Sequence, residues 1–79
     1  MVLNLRSGAF GGCGNLEAAS FPNCINICMG AFSNCFSLTT ISFPECTYIG
    51  YAAFYSCYNL TSAFFPKCIA IGDYAFYNC

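Results

Sequence analysis

The sequence predicts an α/β repeat solenoid, and two regularities predict it. Seven of the eight cysteines stand at residues 13, 24, 35, 46, 57, 68 and 79, one every eleven residues. Each follows a Phe by three positions, from Phe10, Phe21 and Phe32 to Phe43, Phe54, Phe65 and Phe76. Six of the seven precede a Leu or Ile by three, namely Leu16, Ile27, Leu38, Ile49, Leu60 and Ile71. The second regularity doubles the unit. Pro occurs only at Pro22, Pro44 and Pro66, whereas Ala stands directly before the Phe of the eleven-residue beat only in the other half, at Phe10, Phe32, Phe54 and Phe76. Windows 35–56 and 57–78 agree at 11 of 22 positions. A 22-residue unit repeated along the chain is an array whose members cover one another. The expected organisation is one array over 1–79: a partial repeat 1–12, then repeats 13–34, 35–56 and 57–78, about 3.5 coils.

Each coil is expected to hold a strand, a corner, a second extended edge and a short helical turn. In Leu38-Thr39-Thr40-Ile41-Ser42-Phe43, residues Leu38, Ile41 and Phe43 point inward while Thr39 and Ser42 face out, with Thr40 at an irregularity. Thr, Ile and Phe suit an extended backbone, and Pro44 ends the strand because it donates no ladder hydrogen bond. Residues 46–49 form the second edge, and Gly50 turns the chain. Tyr51-Ala52-Ala53-Phe54-Tyr55-Ser56-Cys57 reads as one helical turn with Ala53, Phe54 and Cys57 inside. Stacked coils then pair adjacent strands in parallel, about 4.8 Å apart. The core is expected to comprise Phe21, Phe32, Phe43, Phe54, Phe65, Phe76, Leu16, Leu38, Leu60, Ile27, Ile49, Ile71, Cys13, Cys35, Cys57, Cys24, Cys46 and Cys68.

Competing architectures fail on chemistry. An eleven-residue beat also suits a long supercoiled helix, but three prolines at about 3 kcal/mol each rule it out. No charge falls between Glu17 and Glu45, yet that stretch contains Pro22, Asn23, Asn26, Gly30, Ser33 and Asn34, so it is no membrane span. With 58% apolar and 6% charged residues the chain is not disordered. Its net charge of −1 leaves no basic patch for nucleic acid, and little charge to oppose self-association. The opening Met-Val-Leu-Asn-Leu-Arg-Ser-Gly does not resemble a secretion signal. Met1 aligns with Asn23 and Leu5 with Ile27, and no atypical capping repeat precedes or follows. The expectation is a piece of a longer array, or one whose uncapped ends meet other chains.

The run Ile49-Gly50-x-x-Ala53-Phe54-x-x-Cys57-x-x-Leu60-Thr61-x-x-x-Phe65-Pro66 resembles the BspA-like leucine-rich repeat family, over essentially the whole chain. Members have Val or Ile where this chain has Phe before Pro, and often Ser at the positions of Cys24, Cys46 and Cys68. The resemblance implies a right-handed leucine-rich-repeat coil. It also implies a surface or secreted protein of host-associated microbes, used in adhesion or recognition of a protein or glycan on a host or matrix surface. It carries no catalytic residue and no cofactor.

Eight cysteines in a short chain ordinarily suggest a disulfide scaffold. Here the period places Cys13, Cys35, Cys57 and Cys79 in one column and Cys24, Cys46 and Cys68 in another. All share one inward direction, which makes closed pairing awkward. Buried free thiols are the leading expectation, disulfides the alternative and a metal site the weakest, since no Cys-x-x-Cys and no His occur. Cys28 falls in the column of Gly50 and Gly72, with Gly30 taking over the bend. Drift at a tolerant position is the plainer account of it; crosslinking is the sharper one and has no neighbouring cation behind it.

Catalysis is not expected. Without His, a Ser or Cys nucleophile lacks its usual base, and Glu17, Glu45 and Asp73 fall in different columns. Glu45 and Lys67 share a column and make an exposed ion pair worth about 0–1 kcal/mol. The outward residues carry more. Phe36 with Tyr58, and Tyr55 with Tyr77, form aromatic columns near Tyr48, Tyr51 and Tyr74, while Thr39, Thr61 and Phe64 line the strand side. These rings suit protein contact or sugar stacking; the plainer reading is that they steady neighbouring coils. The function expected is a non-enzymatic recognition module. Its rival is a self-associating solenoid stacked end to end.

Overall fold

The computed structural model describes residues 3–79. Met1 and Val2, and with them the alignment of Met1 on Asn23, lie outside the described residues. Seven short strands follow in order: β1 Leu3–Leu5, β2 Ala18–Ser20, β3 Cys24–Ile27, β4 Thr40–Ser42, β5 Tyr48–Ile49, β6 Ser62–Phe64 and β7 Ala70–Ile71. Odd and even strands separate into two parallel sheets, ordered β1-β3-β5-β7 and β2-β4-β6. Ile27 pairs with Ile49 and Ile49 with Ile71, while Ala19 pairs with Ile41 and Ile41 with Ala63. Every one of these steps is 22 residues. The one slip lies between Leu3 and Asn4. The result is a parallel-strand β-solenoid of about three turns.

Between the sheets the chain turns at Phe-Pro. The amides of Cys24, Cys46 and Cys68 donate to the carbonyls of Phe21, Phe43 and Phe65 at 3.2, 3.2 and 3.1 Å. These are four-residue turns with Pro in the second place, where its fixed φ is already correct.

The third side of each coil differs from the expected helical turn, and no helix occurs among the described residues. Residues 50–57 instead form three overlapping turns. Ala53 donates to Gly50, Tyr55 to Ala52 and Cys57 to Phe54, each at 3.2 Å. The intervening amides leave the coil: Ala52 donates to Asp73, Phe54 to Ala75 and Ser56 to Tyr77, at 3.0, 2.7 and 2.8 Å. A helix is impossible here because every fourth residue has left-handed backbone. One such column is Gly8, Gly30, Ala52 and Tyr74, at φ of 68°, 65°, 54° and 59°; the other is Gly12, Asn34, Ser56 and Asn78. Positive φ at the third place of a turn defines type II geometry.

Gly50 has a role other than bending the chain. It lacks positive φ, but a Cβ there would sit 2.8 Å from the Ile27 carbonyl oxygen, and one on Gly72 would sit 2.6 Å from the Tyr51 nitrogen. These glycines let successive coils approach. The bend belongs to the neighbouring left-handed column, so Gly30 is not a substitute for a missing glycine at Cys28.

Inside, Phe10, Phe32, Phe54 and Phe76 stack with centroids 5.2, 5.0 and 5.2 Å apart and planes within 10°. Phe43 meets Phe32 and Phe54 edge-on at 5.9 and 6.1 Å, and stacks on Phe21 at 5.7 Å. Phe32, Phe43, Phe54, Leu38, Ile27, Ile49, Cys24, Cys35, Cys46 and Cys57 are fully buried. Phe21, Phe65, Phe76, Leu16, Leu60, Cys13 and Cys68 pack against them partly covered. Ile71 departs from the expected core: it is 52% exposed, because it lies in the last coil and no strand pairs beyond β7.

Two substitutions test this account by urea unfolding. Ala52→Gly relieves the left-handed strain and is expected to stabilise by about 0.5–1 kcal/mol. Gly50→Ala forces stacked coils apart and is expected to destabilise by about 1–3 kcal/mol. A gain from Gly50→Ala would contradict the close-approach role.

Candidate functional site

The outward residues are set by the same stacking that builds the core. Phe36 and Tyr58 sit in successive coils just after the turn stack, with ring centroids 5.3 Å apart and planes 9° apart. Tyr55 and Tyr77 stack on the turn face at 5.2 Å and 24°. Phe64 ends β6 and pairs with Ser42; it has no ring neighbour among the described residues and is 54% exposed. Thr39 and Thr61 stand at the approach to β4 and β6. Their hydroxyls donate to the carbonyls of Glu17 and Thr39 at 3.0 and 3.2 Å. Each hydroxyl thus steadies the coil before it and keeps acceptor lone pairs outward.

The seven residues singled out from the sequence are not joined by one run of ring contacts. Phe36 and Tyr58 come together, as do Tyr55 and Tyr77, but these pairs make no ring contact with each other. Two tyrosines outside that set join the second pair. Tyr74 meets Tyr77 edge-on at 5.5 Å and 83°, and Tyr51 at 5.8 Å and 79°. Column reasoning passes over this link because Tyr51 and Tyr74 are 23 residues apart, one off the period. The diagonal contact follows from Tyr74 occupying the left-handed column.

Among the described residues the side chains do not assemble a reaction centre. The chain has no His. Lys67 Nζ lies 2.9 Å from Glu45 Oε1, exposed, as a rung between coils. No cavity is found, and no metal-holding group of three or more His, Cys, Asp or Glu side chains occurs among the described residues.

All eight cysteines are free. Cys35, Cys57 and Cys79 donate their thiols to the carbonyls of Phe10, Phe32 and Phe54 at 3.1, 3.2 and 3.2 Å. Cys24, Cys46 and Cys68 donate to the carbonyls of Asn26, Tyr48 and Ala70 at 3.3, 3.2 and 3.3 Å. Each of these six thiols satisfies a backbone carbonyl. Burial pushes Cys24, Cys35, Cys46 and Cys79 up from 9.0, and Cys57 up to about 12. Neutral thiols are poor nucleophiles and poor metal ligands.

The comparison with known proteins agrees with this geometry: the BspA type leucine rich repeat region matches residues 2–79, in six copies. The chain belongs to that family. BspA-type repeats are in general structural and binding modules rather than catalysts. Neither the curated proteins nor the solved structures hold a match to this chain.

The thiols give a pH test with a definite sign. The folded values of Cys24, Cys35, Cys46, Cys57 and Cys79 lie above the unfolded value of 9.0, so the contribution of these five is complete below pH 9 and is lost as pH rises through the folded values. The urea midpoint is expected to hold up to about pH 9 and to fall above it, and Cys57→Ala to flatten that slope.

Proposed function

We propose that this chain is a non-enzymatic recognition module of a microbial surface or adhesion protein, which binds a protein or glycan of a host or matrix through its exposed aromatic and hydroxyl side chains. The observation that carries the reading is the exposed placement of Phe36, Tyr58, Tyr77 and Phe64, with Tyr55 half-buried against Tyr77, on a backbone whose amides are tied coil to coil. Rings held this way lose little freedom on binding, which makes them effective anchors. A protein partner is favoured over a sugar at the paired rings. Each paired ring has one face covered by its neighbour, so less open face is left for sugar stacking. Among these candidates Phe64 has no ring stacked on it. No helix among the described residues is long and apolar enough to cross a membrane.

A second reading, association of copies end to end, is favoured by a different observation. The last coil leaves Ile69 86% and Ile71 52% exposed, and β6 and β7 have open edges of the kind that pair with further strands.

Tyr58→Ala and Phe64→Ala test the first reading. Each is expected to weaken a captured host or matrix partner about tenfold with an unchanged urea midpoint; unaltered affinity removes these side chains from the interface. Sedimentation across a hundredfold concentration range separates the readings. A constant monomer supports recognition, and mass growing with concentration supports stacking.

A further inference from the structure

The tyrosines joined on the diagonal have an acidic neighbour. Tyr51 and Asp73 occupy the same column one coil apart, as the 3.0 Å bond from the Ala52 amide to the Asp73 carbonyl shows. Tyr74 follows Asp73 in the chain, and its ring touches both Tyr51 and Tyr77. Asp73, Tyr51, Tyr74 and Tyr77 are all exposed. No cationic side chain among the described residues is paired with this carboxylate. The chain's two cations are Arg6 and Lys67; Lys67 is engaged by Glu45, and Arg6 lies three coils away at the end of β1.

The position of Tyr74 sharpens this. Gly8 and Gly30 hold the same left-handed column, where a residue with a Cβ costs about 1 kcal/mol or more. A bulky aromatic there is strained, and its visible contacts are with exposed rings rather than the core. Strain kept at a surface position is a pointer to use.

The geometry points to Tyr51, Tyr74, Tyr77 and Asp73 as a docking site for an arginine side chain on a protein partner. This rests on the recognition reading but on other rings than its main test. The three rings meet edge to face, and Asp73 stands next to Tyr74 in the chain and in the column of Tyr51 one coil on. A guanidinium stacks on an aromatic face, drawn by the ring quadrupole, while its N–H fork reaches a carboxylate. Arginine answers both features at once. An aliphatic side chain answers only the rings, and an anion is opposed by Asp73.

The probe is the blocked peptide acetyl-Gly-Arg-Gly-Arg-Gly-amide, titrated into the protein at low salt and followed by NMR of the tyrosine rings. The expected result is a shift confined to Tyr51, Tyr74 and Tyr77 that weakens as salt rises. Asp73→Asn should lower the affinity about fivefold, whereas Glu17→Gln, an acid away from these rings, should leave it unchanged. Tyr74→Gly separates binding from folding: the affinity should fall by a similar factor while the urea midpoint holds or rises. No shift at these rings, undiminished binding by Asp73→Asn, or equal binding of the Glu counterpart peptide overturns the proposal. So does competition by phosphatidylcholine vesicles as strong as that of the peptide, which would assign the site to a lipid headgroup. A partner lost to Phe64→Ala but indifferent to Asp73→Asn keeps the recognition reading and removes this one.

Discussion

The structure depends on where every second amide of the turn stack goes. Within residues 50–57 one set of N–H groups closes local turns, and the other set crosses to the next coil. Neither set suffices alone. Turns by themselves leave half the donors bare, and bare buried donors cost about 1–3 kcal/mol each. The crossing bonds exist only when an equivalent residue lies one coil away. Like therefore rests on like, and the phenylalanine columns, the corner thiols and the outer rings inherit that spacing. The exposed tyrosines stack for the same reason that the buried phenylalanines do.

The spacing of Cys, Phe and Leu/Ile carries the stacking period plainly, because one residue type recurs wherever the environment recurs. Phe-Pro carries the corner, since proline at the second place of a turn both fixes φ and stops the ladder. The turn stack is less legible. Gly8, Gly12, Gly30, Asn34 and Asn78 are residue types suited to positive φ, but Ala52, Ser56 and Tyr74 hold the same conformation and hide the columns. Read through Tyr51–Cys57 alone, with Ala52, Ala53 and Phe54 at its centre, the segment mimics helix. Neighbouring coils override local propensity there. Gly50 is deceptive in a related way, since its need is room for the Ile27 carbonyl, a contact set by a residue 23 positions earlier.

The surface divides similarly. Columns of outward aromatics follow directly from the period, and Phe36 over Tyr58 and Tyr55 over Tyr77 lie as the period requires. The cluster around Tyr74 does not, because its contacts run diagonally and depend on backbone handedness. Ile71 shows a further gap between pattern and burial. Its residue type and column are those of Ile27 and Ile49, yet membership of the column does not by itself cover a side chain in the last coil.

The uniform pairing step also governs how such a molecule can change length. A duplication or loss of 22 residues returns every side chain to an equivalent place, so modules can be gained or shed without redesigning the interior. A change of one residue more or less would rotate each later strand to its opposite face. Arrays of this kind are therefore free to drift in size by whole modules while their outward columns diversify independently.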